Sequence, residues 1–191
     1  MFELQQATSS QWLDAVMANF DDFLIDHAGA EKKASGMAMS MALHYKDKAD
    51  LVAAMIDLAI EELAHFREVV KLMAESGLQL QPDEKDPYVN ALNRLVRKDD
   101  RDQRCIDRLL IGAIVEARGA ERFGMVADAL PEGKMKNFYI AITRSEDRHT
   151  DLFLQLARQY FPNHPVDQRL QQLLVAEAEI VATLPHRAAL H

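Results

Sequence analysis

Cysteine is almost absent from this sequence. Cys105 stands alone, which excludes an internal disulfide and any cysteine-built zinc or iron–sulfur site within one chain. Glycine and proline are scarce, at seven and six residues, and the prolines begin only at Pro82, leaving the earlier helical patterns uninterrupted. Period-2 alternation and β-branched runs are thin, which argues against a sheet. No apolar run reaches the length of a bilayer span, and the opening MFELQQATSS lacks the basic-then-apolar pattern of a secretion leader. These absences predict one all-α domain over residues 1–191, cytoplasmic and with no membrane contact. The net charge of −8 argues against indiscriminate nucleic-acid binding. Arg94, Arg97, Lys98, Arg101, Arg104 and Arg108 nevertheless gather in one short segment, as a solvated face or a local patch for a polyanion.

What is present is helical periodicity. SSQWLDAVMANF starts a short helix behind a serine cap, with Trp12, Val16 and Phe20 at four-residue steps. Long helices are expected over about Asp22–Tyr45 and Asp50–Ser76, the second stopped by Gly77. The short KDKA link makes them antiparallel neighbours. The turn-rich GLQLQPDEKDPY and a short helical piece, VNALNRLVR, supply a crossover. Two further long helices follow over about Arg101–Leu130 and Met135–Tyr160, broken by PEGK, and a last amphipathic helix covers about Val166–Leu184. Two antiparallel pairs joined by one long crossover make the ferritin-like four-helix bundle, with short flanking helices.

EELAHF at 61–66 and SEDRHT at 145–150 each place a carboxylate three residues before a histidine. Leu58, Val69 and Leu72 flank the first at helical steps, and Ile142, Phe153 and Leu156 flank the second, so both motifs lie on core-facing stripes. A buried carboxylate needs a compensating cation, and neither stripe offers a lysine or arginine. Counted from the turns near Asp47 and Pro131, Glu31 lies level with Glu62, and Glu116 with Glu146. Glu61 and Glu121 compete for two of these places, but level and repeat favour Glu62 and Glu116. Glu31, Glu62, His65, Glu116, Glu146 and His149 then form the ligand set of a two-metal site in a bundle core. One nitrogen and several oxygens per metal suit iron, or less well manganese, better than zinc. Gly112 and Gly119 inside the third long helix suggest close helix approach or room for substrate near Glu116.

Four stretches carry a more specific signal: LIDHAGAEKKASGMAMSM around Glu31, MIDLAIEELAHFREVVKLM around Glu62 and His65, LLIGAIVEARGAERF around Glu116, and FYIAITRSEDRHTDLF around Glu146 and His149. In this order they resemble the bacterial tRNA 2-methylthio-isopentenyl-adenosine hydroxylase family over nearly the whole chain. The resemblance implies a non-haem di-iron monooxygenase that hydroxylates the isopentenyl group of the modified adenosine next to the anticodon. It implies O₂ as co-substrate and one histidine per iron. Glu62 and Glu146 would bridge, and Glu31 and Glu116 would be terminal. With no flavin fingerprint and no cysteine cluster, the two electrons must come from an external reductase. The basic residues Arg94, Arg97, Lys98, Arg101 and Arg104 become candidates for anticodon stem-loop phosphates, and Phe20, Phe23, Tyr45 or Tyr88 for stacking on unpaired bases. Rival readings of the same ligands are a ferritin-like iron-binding protein, a rubrerythrin-like peroxidase, and a di-iron oxygenase acting on a lipid or small molecule.

Overall fold

The computed structural model describes residues 2–191, and among these residues every regular element is an α-helix. In chain order they are α1 (Ser10–Ala18), α2 (Phe20–His44), α3 (Ala49–Glu75), α4 (Pro87–Asn93), α5 (Arg101–Ala129), α6 (Lys134–Tyr160) and α7 (Val166–Thr183). Antiparallel pair, crossover, antiparallel pair is the connectivity of the ferritin-like fold. Local chemistry sets the boundaries. α2 opens with Asp21 and Asp22 in its first turn, where the helix dipole favours negative charge. After α3 the chain turns at Gly77 with φ 74°, a conformation open to glycine at little cost. The side chains of Asp86 and Asp100 accept the backbone N–H groups of Val89 and Gln103, capping α4 and α5. The expected continuity of Trp12, Val16 and Phe20 fails, because the chain breaks at Asn19 and Phe20 begins α2.

The chain divides into two compact units. One comprises Ser10–Glu84 with His186–Leu190; the other comprises 2–9, Lys85–Pro185 and His191. In the first, α2 and α3 pack along their length and α1 lies on α2. Ser35 Oγ donates to the Ala59 carbonyl at 2.8 Å across 24 residues, a pair symmetric about Asp47, so the register is the one counted from that turn. The C-terminal tail is bound to the same unit. Trp12 Nε1 donates to the Ala189 carbonyl at 2.9 Å and Leu190 N–H to Asp26 at 2.7 Å.

In the second unit α5 and α6 pair, with α4 and α7 against α5. A β-carbon on Gly112 would stand 3.0 Å from the Phe153 ring, so close helix approach accounts for Gly112. A β-carbon on Gly119 would meet Phe123 at 3.8 Å and Glu146 at 4.0 Å. These are ordinary contacts, so Gly119 has room for a methyl group and little more. Gly112 facing Phe153 and Gly119 facing Glu146 set the α5–α6 register about the Glu132–Gly133 turn. Counting from Pro131 is therefore slightly off, and Glu116 comes opposite His149 rather than level with Glu146. The buried Asp107 binds Arg97 through Nη2 at 2.7 Å and Arg169 through Nε at 2.9 Å. It thereby ties the end of the crossover and α7 to α5. Burial would raise this carboxyl's pKa, but the two guanidinium groups outweigh it and hold it below the usual range.

Candidate metal centre

In the α2–α3 unit, Glu31 and Glu62 are buried and His65 is largely covered. Their ligand atoms lie within 4.8 Å of one another. His65 Nδ1 stands 3.1 Å from Glu62 Oε2 and 3.5 Å from Glu31 Oε2. The outer nitrogen, Nε2, is 4.0 Å from Glu61, whose side chain is 40% exposed. That exposure resolves the sequence ambiguity: Glu62 is the carboxylate on the inner face, and Glu61 meets the other side of the ring. Glu31 is also held from behind, with Oε1 2.6 Å from His27 Nε2.

The α5–α6 unit repeats the pattern. Glu116, Glu146 and His149 are all buried, with ligand atoms within the same 4.8 Å limit. His149 Nδ1 lies 3.6 Å from Glu146 Oε2 and 3.9 Å from Glu116 Oε2. Its Nε2 is 3.5 Å from Ser145 Oγ, which in turn accepts from Arg148 at 3.0 Å. Both histidines thus turn Nδ1 toward the carboxylates and Nε2 toward an outer polar group, the arrangement that orients a metal-binding imidazole. The rival Glu121 is committed elsewhere. It accepts the Thr8 backbone N–H at 3.0 Å and the Thr8 hydroxyl at 2.5 Å, and it pairs with Arg118.

Electrostatics bear on what each triad can hold. Burial would raise the Glu31 pKa, yet the hydrogen bonds from His27 and His65 outweigh it and keep this carboxylate ionised far below the usual range. Burial would lower the His65 pKa, but Glu31 and Glu62 raise it to about 9. In metal-stripped protein His65 is therefore an imidazolium at neutral pH, and its proton stands where a cation is wanted. Two carboxylates and one imidazole, buried together, fit a divalent ion that replaces that proton. The sign of the pH effect follows. A histidine pKa raised from 6.5 to about 9 contributes stability that is complete below pH 6.5 and is lost as pH rises through 9. Urea unfolding of metal-stripped protein at pH 6 and pH 9.5 should differ by on the order of 3 kcal/mol from this group. The His65→Gln variant should lose most of that difference.

Around α5 the structure holds a buried polar network that sequence periodicity does not reveal. Arg118 is fully buried and donates to Glu177 at 2.8 Å, to the Gln6 carbonyl at 2.8 Å and to the Thr8 hydroxyl at 3.0 Å. Tyr88 donates to the same Glu177 oxygen at 2.9 Å. Arg122 lies against Thr8 as well, and burial together with the nearby Arg118 lowers its pKa to about 10. The spacing of Arg118 and Glu121 on one helical turn is a visible signal; their partners from distant segments are not.

The basic segment is split in use. Arg97 is taken up by Asp107, while Arg94, Lys98, Arg101 and Arg104 are at the surface. Of the rings considered for base stacking, Phe23, Tyr45 and Tyr88 are buried and have no face to offer a base. Phe20 is half-buried. No helix among the described residues is long and apolar enough to cross a membrane.

Comparisons with known proteins extend over nearly the whole chain. The family model described as tRNA-(MS[2]IO[6]A)-hydroxylase (MiaE) matches residues 2–191. A Pseudomonas putida KT2440 protein named tRNA 2-(methylsulfanyl)-N(6)-isopentenyladenosine(37) hydroxylase is 33% identical over 184 residues. The match covers 96% of this chain and 89% of that protein. A Salmonella typhimurium LT2 protein of the same name is 31% identical over 131 residues, 69% of this chain and 47% of that protein. Among solved structures, a Synechococcus protein with aldehyde deformylating oxygenase activity superposes with a TM-score of 0.91 at 33% identity, covering 98% of this chain and 93% of that one. With matches from residue 2 to residue 191, the chain belongs to the tRNA-(MS[2]IO[6]A)-hydroxylase (MiaE) family.

Proposed function

We propose that the protein is a non-haem di-iron monooxygenase that hydroxylates the isopentenyl group of 2-methylthio-N6-isopentenyladenosine next to the anticodon in tRNA. The observation that carries this reading is the family match over residues 2–191 in a chain that presents the same Glu–Glu–His triad twice. In this reading residues 1–191 act as one catalytic domain. Glu31, Glu62 and His65 would hold one iron, and Glu116, Glu146 and His149 would hold the other. Four carboxylates offset the four positive charges of two divalent ions, which removes the cost of burying either set alone. Bound iron supplies the activation of O₂, with two electrons from a separate reductase.

The remaining work belongs to the chain. His65 and His149 present Nδ1, with Glu61 and Ser145 behind their rings, and His65 gives up its proton when metal enters. Arg94, Lys98, Arg101 and Arg104 are the side chains offered to tRNA phosphates, with Arg97 serving mainly to bind Asp107. Contacts of that kind position the substrate and carry no base specificity.

A second reading is supported by the Synechococcus oxygenase, whose likeness spans 98% of this chain: the same site oxidising an aldehyde or another small molecule. One experiment separates the two. Protein loaded with Fe(II), supplied with reductant and O₂, is given tRNA carrying the isopentenyl nucleoside or a fatty aldehyde. Nucleoside mass analysis should show one added oxygen on the tRNA base. An unchanged nucleoside beside a consumed aldehyde would overturn the tRNA reading.

A further inference from the structure

The stretch DHAGAEKKA surrounds Glu31, yet the ligand assignment uses only the glutamate. The structure gives several of the others work. Asp26 accepts the Leu190 N–H at 2.7 Å and fixes the C-terminal tail. Lys32 binds Asp83 at 2.7 Å and Lys33 binds the Glu84 carbonyl at 2.8 Å, holding the start of the crossover against α2. His27 faces inward, fully buried, with Nε2 2.6 Å from Glu31 Oε1. One helical turn separates the two residues, the spacing at which side chains on a helix meet.

We propose that His27 is a positioning residue for Glu31: it donates to Oε1 and fixes the carboxylate so that Oε2 faces the position shared with Glu62 and His65. This rests on Glu31 being a metal ligand. A carboxylate can only accept, so the hydrogen lies on His27 Nε2. The second oxygen is the one turned to the site, 3.5 Å from His65 Nδ1. The donor is itself held by packing. Phe23 lies against the His27 ring with centroids 6.2 Å apart, and Trp12 meets Phe23 edge-on at 6.0 Å. Trp12 is anchored in turn to the Ala189 carbonyl.

The other triad is built differently. The position one turn before Glu116 is Gly112, which has no side chain to donate and is pressed against Phe153. His27 therefore has no counterpart at that helical position in the second triad, and loss of its donor acts directly on the Glu31 position.

Metal-stripped full-length protein is titrated anaerobically with Co(II), with visible absorption and calorimetry as readouts. Wild type, His27→Phe, which keeps a ring without the donor, and His27→Gln, which keeps an N–H, are compared. Wild type should bind two ions. His27→Phe should bind one as wild type and the other about 10–100-fold more weakly, the usual loss when an outer hydrogen-bonding partner of a metal ligand is removed. His27→Gln should recover most of that loss. Thermal melts of the metal-free proteins confirm folding, and His27→Leu serves if phenylalanine is not accommodated. Two ions bound by the donor-free variant with unchanged affinity would overturn the proposal, as would equal weakening at both positions. A wild-type protein that binds no metal would instead sink the ligand assignment on which the proposal rests.

Discussion

Replacing His149 by alanine should abolish hydroxylation and empty at least one metal position while leaving the helical circular-dichroism spectrum intact. The ring is buried, with Nδ1 3.6 Å from Glu146 and 3.9 Å from Glu116, and alanine offers no nitrogen at that place. Glu62→Ala should do the same from the other triad. The diagnostic readout is the stabilisation that metal confers. A ligand present at a hundred times its dissociation constant adds about 2.7 kcal/mol to the folded state, or roughly 5–10 °C in Tm for a chain of this size. In both variants that increment should shrink sharply. The metal-free Glu62→Ala protein should lose part of the stability that the His65 imidazolium contributes near neutral pH, because Glu62 is one of the two carboxylates that hold that proton. Full turnover by either variant would show that the assigned residues do not hold the metal.

The second large effect is expected far from those triads. Arg118→Met should destabilise the protein by about 3–5 kcal/mol, because it leaves Glu177 fully buried without its guanidinium partner. The midpoint of urea unfolding should fall at an unchanged slope. The double variant Arg118→Met with Glu177→Leu removes the stranded charge and should recover much of the loss. The same variant frees the Gln6 carbonyl and the Thr8 hydroxyl from Arg118, so amide exchange over residues 4–9 should accelerate more than exchange in α6. A double variant as unstable as the single one would show that packing around the methylene chain of Arg118, not the charge pair, carries the energy.

Motif specificity has a physical meaning here. E-x-x-H alone marks a large class of metal proteins, and the resemblance rests on longer stretches such as VEARGAERF. Of that stretch only Glu116 belongs to a triad. Arg118, Glu121 and Arg122 hold the segment through Thr8 and α7 onto α5. DHAGAEKKA divides its labour likewise, one residue for the triad and several for what surrounds it.

Sequence by itself determined the helices, their pairing across short turns, and the doubled triad. Each of these follows from a 3.6-residue period and a count from the nearest turn, which are local quantities. It also favoured Glu62 over Glu61 and Glu116 over Glu121. The register of α5 on α6 was less legible, because the close contact of Gly112 with Phe153, and not Pro131, sets where the helices meet. Only the tertiary structure decided what the other polar side chains do. Arg118 reaches Glu177 across 59 residues and Thr8 across 110, and Arg97 turns to Asp107 rather than to solvent. Such partners depend on where remote segments of one unit come to rest, and a helical period says nothing about that. His27 lies between the two cases. Its four-residue step to Glu31 is written in the sequence, but which glutamate oxygen it takes, and which it leaves facing His65, is a property of the packed side chains.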